Sequence, residues 1–181
     1  MRTLSQRKRE RGASGPKTWL IVVLLVGAVA GAGWWFGVRG VLERRAAEAA
    51  KVEAALAAQR ERRLALFGER ALAEGVVFRS SGLGLRILNP GEGRQPGLSD
   101  TIRIIYKGTT KDGTVFDQAK EPAEFTLGRL VPGMATGLQE LRPGGSMELF
   151  IPPSLGYGNR QIAGIPAGSG LIFEVTLVEI K

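Results

Sequence analysis

The chain has 181 residues, which is room for one ordinary domain and appendages. It has neither Cys nor His, which excludes disulfides, thiol chemistry, histidine general bases and the commonest zinc-site ligands. The net charge of +8 is uneven, with 14 Lys/Arg against 7 Asp/Glu in residues 1–75 and 11 against 10 in residues 76–181. The near-neutral C-terminal part argues against nucleic-acid binding.

Residues 1–18 form a basic leader carrying Arg2, Arg7, Lys8, Arg9, Arg11 and Lys17. Residues 19–38 carry no charge, and Trp19, Trp34, Trp35 and Phe36 stand at the two ends. At about 1.5 Å per residue such a helix spans roughly 30 Å, the hydrocarbon thickness of a bilayer. Aromatic side chains favour its interfaces, and the basic flank favours a cytoplasmic N-terminus. The expectation is an uncleaved single-pass anchor. A cleaved signal peptide ending at Ala28-Val29-Ala30 is the alternative. Both put the C-terminal domain outside the cytoplasm.

Residues 39–75 are rich in Ala, Glu and Arg, which are strong helix formers. The apolar positions keep no clean heptad, so two readings stand: a solvated helical tether, or a dimerising helix over residues 41–74. Residues 83–88 read as a strand, followed by turns at Asn89-Pro90-Gly91 and Pro96-Gly97. Gly91-x-Gly93 is no dinucleotide fingerprint, because a strand follows it rather than a helix.

From Thr101 to Tyr106 apolar and polar residues alternate as in a half-buried strand, and Asp112-Gly113 reverses the chain. A second strand begins at Val115-Phe116 and ends at Asp117. A short strand is expected over 124–127 and one helix over 134–141. Strands follow over 147–151 and 171–180, with a Gly-rich loop between them over 153–166. About five strands and one short helix imply an α+β fold, a curved antiparallel sheet wrapped on that helix.

The pattern Tyr106-x-Gly108-x-x-x-Asp112-Gly113-x-x-Phe116-Asp117 resembles the signature of FKBP-type peptidyl-prolyl cis–trans isomerases. Further blocks follow in the family's order: Pro122-x-x-Phe125-x-Leu127-Gly128, Val131-Pro132-Gly133, Gly137-Leu138, Ile151-Pro152-Pro153, Tyr157-Gly158, Ile165-Pro166 and Leu171-x-Phe173-x-Val175. The likeness covers residues 82–181. Residues 65–83 loosely resemble the linker of relatives of the macrophage infectivity potentiator type, which place dimerising helices before this domain.

The resemblance implies catalysis of X–Pro rotation in proline-containing polypeptides, with no cofactor and no metal. Amide resonance sets that barrier at about 18–20 kcal/mol. No bond breaks, so the catalyst need only bind the twisted amide better than the planar one. By the same resemblance Tyr106, Phe116, Val131 and Phe173 would grip the proline ring. Tyr157 and the backbone N–H of Ile165 would hold carbonyls, and Asp117 would be a buried group orienting them. The pocket floor, a tryptophan in the family, is Met134 here, and an aromatic wall position is Ala123. Both changes imply weaker catalysis and weaker macrolide binding. The expected protein is an isomerase of the inner membrane, with residues 76–181 as an FKBP-type domain facing the periplasm or exterior. The alternative is a membrane-tethered proline-binding or chaperone module with little turnover.

Overall fold

The structure is a computed structural model that describes residues 16–162 and 164–181, with side chains from residue 39 onward. Helix α1 spans Pro16–Phe67. Among the described residues no helix is long and apolar enough to cross a membrane. The basic leader and the side chains of residues 19–38, on which the anchor reading rests, lie outside the described residues.

The chain divides into two compact units, the second being Leu56–Lys181. That unit begins with the last turns of α1. The helix stops at Phe67 because Gly68 takes φ 66°, a left-handed cap that only glycine adopts at little cost. A 3₁₀ turn, Gly68–Leu72, follows. The strands are β1 (Val77–Phe78), β2 (Gly84–Asn89), β3 (Thr101–Thr109), β4 (Val115–Thr126), β5 (Ser146–Ile151) and β6 (Leu171–Ile180). The single sheet is antiparallel, in the order β1-β2-β5-β6-β3-β4.

Three expectations are corrected. There are six strands rather than about five, the extra one being the two-residue β1 paired with β2. The separate strands expected around Val115 and Glu124 are one strand of 12 residues. Its register slips between the pairs Ile104↔Ala123 and Tyr106↔Ala119, and Pro122 falls in that slip, where a residue without an N–H costs no ladder bond. The helix expected over 134–141 is α2, Pro132–Leu138. It starts two residues earlier because proline at the first helical position forfeits no hydrogen bond.

Period-two alternation sends each strand's residues to two cores. Met147, Leu149 and Ile151 of β5, with Leu171, Phe173, Val175 and Leu177 of β6, face the α2 side, where Met134, Ala135 and Leu138 pack. Gly133 and Gly137 let α2 come close, since a Cβ there would lie 2.4 Å from Ile151 and 2.2 Å from Leu149. Phe150 and Ile172 face the other way and bury Phe67 and Ala71. Beside them Glu148 and Glu174 stand directly opposite each other on β5 and β6. Like charges in that register repel. Arg70 offsets this by reaching Glu148 at 2.6 Å and Glu174 at 2.7 Å, and Arg86 also donates to buried Glu148, at 2.7 Å.

Candidate functional site

Strand β3, between β6 and the edge strand β4, organises the site. Gly108 pairs with Asp117 on β4 and with Phe173 on β6. A Cβ at Gly108 would lie 2.7 Å from the Phe116 ring and 2.8 Å from the Phe173 ring, so the missing side chain is the space those rings occupy. They meet edge to face at 5.4 Å. Tyr106 adds contacts to Phe173 at 6.2 Å and to Phe125 at 5.9 Å. Each such pair contributes about 0.5–1.5 kcal/mol beyond its burial. Gly108→Ala is therefore expected to lower unfolding free energy by about 2 kcal/mol, the cost of forcing a methyl into a filled core. Urea denaturation measures it, and an unchanged midpoint would refute this account of the aromatic stack.

The rings of Tyr106, Phe125 and Phe173 line a cavity of about 290 Å³. Tyr106 and Phe173 form walls, and buried Met134 comes from α2. Val131, the residue capping α2, and Tyr157, from the loop after β5, also line it. Asp117 stands at its margin and accepts a hydrogen bond from the Tyr106 hydroxyl at 2.9 Å. Among the described residues the Tyr157 hydroxyl has no hydrogen-bond partner within the protein, and the Val131 N–H has no backbone acceptor.

The expected site residues thus converge in part. Tyr106, Asp117, Val131, Met134, Tyr157 and Phe173 share one cavity. Phe116 does not line it and instead backs Phe173. Asp117 is exposed rather than buried, because its place on edge strand β4 leaves it open to water, and its partner is Tyr106. Ile165 is corrected more strongly. It does not line the cavity, and its N–H is donated to the Ile162 carbonyl at 2.7 Å within a tight loop bridge. The Val131 N–H, by contrast, has no backbone acceptor, which the sequence does not show because backbone availability depends on tertiary hydrogen bonding. Phe125, Leu130, Ile104 and Arg129 also line the cavity. Phe125 and Ile104 were legible as a motif position and a strand position, whereas Arg129 carried no signal. Ala123 is half-buried on β4 and does not line the cavity.

Burial, then the hydrogen bond to Asp117 and that carboxylate's charge, push the Tyr106 phenol up to about 12. The folded state therefore holds this proton to higher pH than the unfolded chain, where tyrosine titrates near 10. The resulting stabilisation is whole below about pH 10 and is lost as pH rises through about 12. Wild type is expected to lose stability across that window more steeply than Tyr106→Phe, as read by urea midpoints at stepped pH. Parallel curves would refute the linkage.

A small aromatic cavity lined by a phenol and a carboxylate is of the class that suits a compact apolar group. Comparison with known proteins sharpens this class. Residues 92–178 match the model of the FKBP-type peptidyl-prolyl cis-trans isomerase family. The chain is 40% identical over 114 residues to the FKBP-type peptidyl-prolyl cis-trans isomerase FkpA of Escherichia coli strain K12, covering 61% of this chain and 42% of that protein. It is 40% identical over 111 residues to the outer membrane protein MIP of Legionella longbeachae, covering 59% and 48%. The crystal structure of FkpA from Escherichia coli superposes with a TM-score of 0.61 at 32% identity, covering 94% of this chain and 84% of that one. The chain belongs to the FKBP-type peptidyl-prolyl cis-trans isomerase family. It spans about half the length of the curated relatives it matches.

Proposed function

We propose that the domain accelerates cis–trans rotation of X–Pro bonds in polypeptides. The observation that carries this is the cavity itself, where Tyr106, Phe173, Val131 and Met134 surround a space of about 290 Å³ suited to a proline ring. A twisted amide has lost conjugation and is less polar than a planar one, so an aromatic wall favours it relative to water. The Tyr157 hydroxyl and the Val131 N–H are the groups assigned to the substrate carbonyl, because both are donors without acceptors among the described residues. Asp117 fixes the Tyr106 ring through the 2.9 Å hydrogen bond and places a negative charge at the cavity margin. Met134 fills the floor with a flexible apolar chain, which keeps the cavity dry while defining it less rigidly than an aromatic ring would.

The remaining assignments belong to the same proposal. Residues 19–38 anchor the chain in the inner membrane with the N-terminus cytoplasmic, supported by their length, lack of charge and terminal aromatics. The isomerase domain then faces the periplasm or exterior and acts on proteins folding there. Residues 41–74 act as the tether. Val41, Leu42, Val52 and Leu56 are exposed on it, and pairing with a second copy would cover them. Sedimentation of the chain in detergent separates a tether from a dimerising helix.

The test is the conversion rate of short X–Pro peptides by the purified chain, beside Tyr157→Phe. Wild type is expected to accelerate conversion, and the variant to lose about tenfold in kcat/KM, the equivalent of one hydrogen bond to the developing transition state. Uncatalysed rates with every X would sink the isomerase reading and leave a proline-binding or chaperone module.

A further inference from the structure

A second concavity, of about 560 Å³, lies away from the aromatic cavity. Its lining comes from the end of α1 (Arg62, Arg63, Phe67), the segment after β1 (Arg79, Ser80, Ser81) and the turn after β5 (Pro152, Pro153, Ser154). Among the described residues no Asp or Glu lines it. Its size falls within the range of ligand-holding clefts.

Five of the eleven arginines of this unit, Arg70, Arg79, Arg86, Arg94 and Arg103, reach a carboxylate within 4 Å. Arg62 and Arg63 reach none among the described residues. Arg63 lies over the Phe78 ring, 4.2 Å from its centroid, which fixes a cation without neutralising it. Arg79 gives one terminal nitrogen to Glu140 at 2.6 Å and keeps donors to spare. Arg62, Arg63 and Arg79 thus line one concavity whose walls include Phe67, Phe78 and two prolines. Planar guanidinium donors match carboxylates, and the apolar walls match aliphatic side chains.

We propose that this groove is a second binding site that takes an acidic, partly apolar segment of a polypeptide. Carboxylates seat on Arg62 and Arg79, and apolar side chains lie against Phe78 and Pro153. The groove also touches the first site through the chain. Pro153 and Ser154 line the groove, Tyr157 lines the cavity, and the turn between them is closed by the Gly158 N–H donating to the Pro153 carbonyl at 2.8 Å. A polypeptide held in the groove is thereby kept beside the proline cavity, which raises the local concentration of its prolines there.

The experiment uses the full chain in neutral detergent and a short labelled peptide of glutamate and leucine without proline, followed by fluorescence anisotropy. Wild type is expected to bind it at least about tenfold more tightly than a lysine–leucine counterpart, with affinity falling as salt rises. Arg62→Glu, at an exposed helix position, is expected to abolish that preference, while Arg142→Glu, exposed and outside the groove, leaves it intact. Equal affinity for both peptides, or unchanged binding by Arg62→Glu, would overturn the proposal. So would charge-dependent binding to phosphatidylglycerol vesicles without binding of the peptide. The readout needs neither proline nor turnover, so a chain that binds the acidic peptide but fails to isomerise supports the groove and refutes only the isomerase reading.

Discussion

Phe173→Ala is expected to remove about 3–5 kcal/mol of unfolding free energy, the usual cost of deleting a buried phenylalanine ring. It is also expected to lower kcat/KM about 100-fold, or about 2.7 kcal/mol of transition-state stabilisation. The reason for the double effect is position. Phe173 is 4% exposed, lies within the main core, and turns one face to the cavity. Its ring is held by Phe116 and Tyr106, so its loss also frees the neighbours that shape the site. Phe173→Leu separates the two effects. Leucine refills most of the volume and is expected to cost less than about 1.5 kcal/mol, yet it cannot supply the flat aromatic wall. Urea midpoints and peptide conversion rates measure both quantities. A leucine variant with full activity would show that volume rather than aromaticity makes the wall.

A fragment of residues 76–181 is expected to be less stable than one of residues 56–181 by about 5 kcal/mol, a loss comparable to the whole stability of a small domain. The shorter fragment lacks Phe67, which is 1% exposed and packs against Phe78 at 6.0 Å and edge-on to Phe150 at 5.7 Å. Deleting such a ring costs about 3–5 kcal/mol by itself. Gly170 is shaped to receive it, since a Cβ there would stand 2.7 Å from the ring. The shorter fragment also lacks Arg70, leaving the opposed Glu148 and Glu174 without the cation that bridges them. Breaking one partner out of a buried ionic group is costly because the remaining charge stays desolvated. Phe67→Ala in the longer fragment isolates the ring's share. Coincident denaturation curves for the two fragments would show that the helix end is a mere appendage.

Much of the site was legible because it rests on local pattern. The alternation through Ile102 and Ile104 and the Asp112-Gly113 turn are short-range effects that neighbouring residues decide. The ordered motif blocks marked Tyr106, Asp117, Val131, Met134, Tyr157 and Phe173, and the fold brings all six to one cavity. The misplacements have a common cause. Whether the Ile165 N–H is available depends on its bond to the Ile162 carbonyl, and whether Asp117 is exposed depends on β4 being the edge strand. Neither fact has a local signature. Val131 was named as a wall, and that its N–H lacks a backbone acceptor emerges only from the hydrogen bonding around it.

By itself, then, the amino-acid order carried the ordered motif blocks that resemble the family and the α+β alternation of strands around one short helix. Tertiary structure alone decided that the end of α1 packs into the second unit. Helix propensity makes residues 39–67 look uniform, and only the socket formed by Phe150, Ile172 and Gly170 converts Phe67 from one more helical residue into core. It likewise decided that Arg62, Arg63 and Arg79, unremarkable along the chain, face one groove. Burial and charge convergence are sums over residues distant in sequence, and no local pattern encodes them.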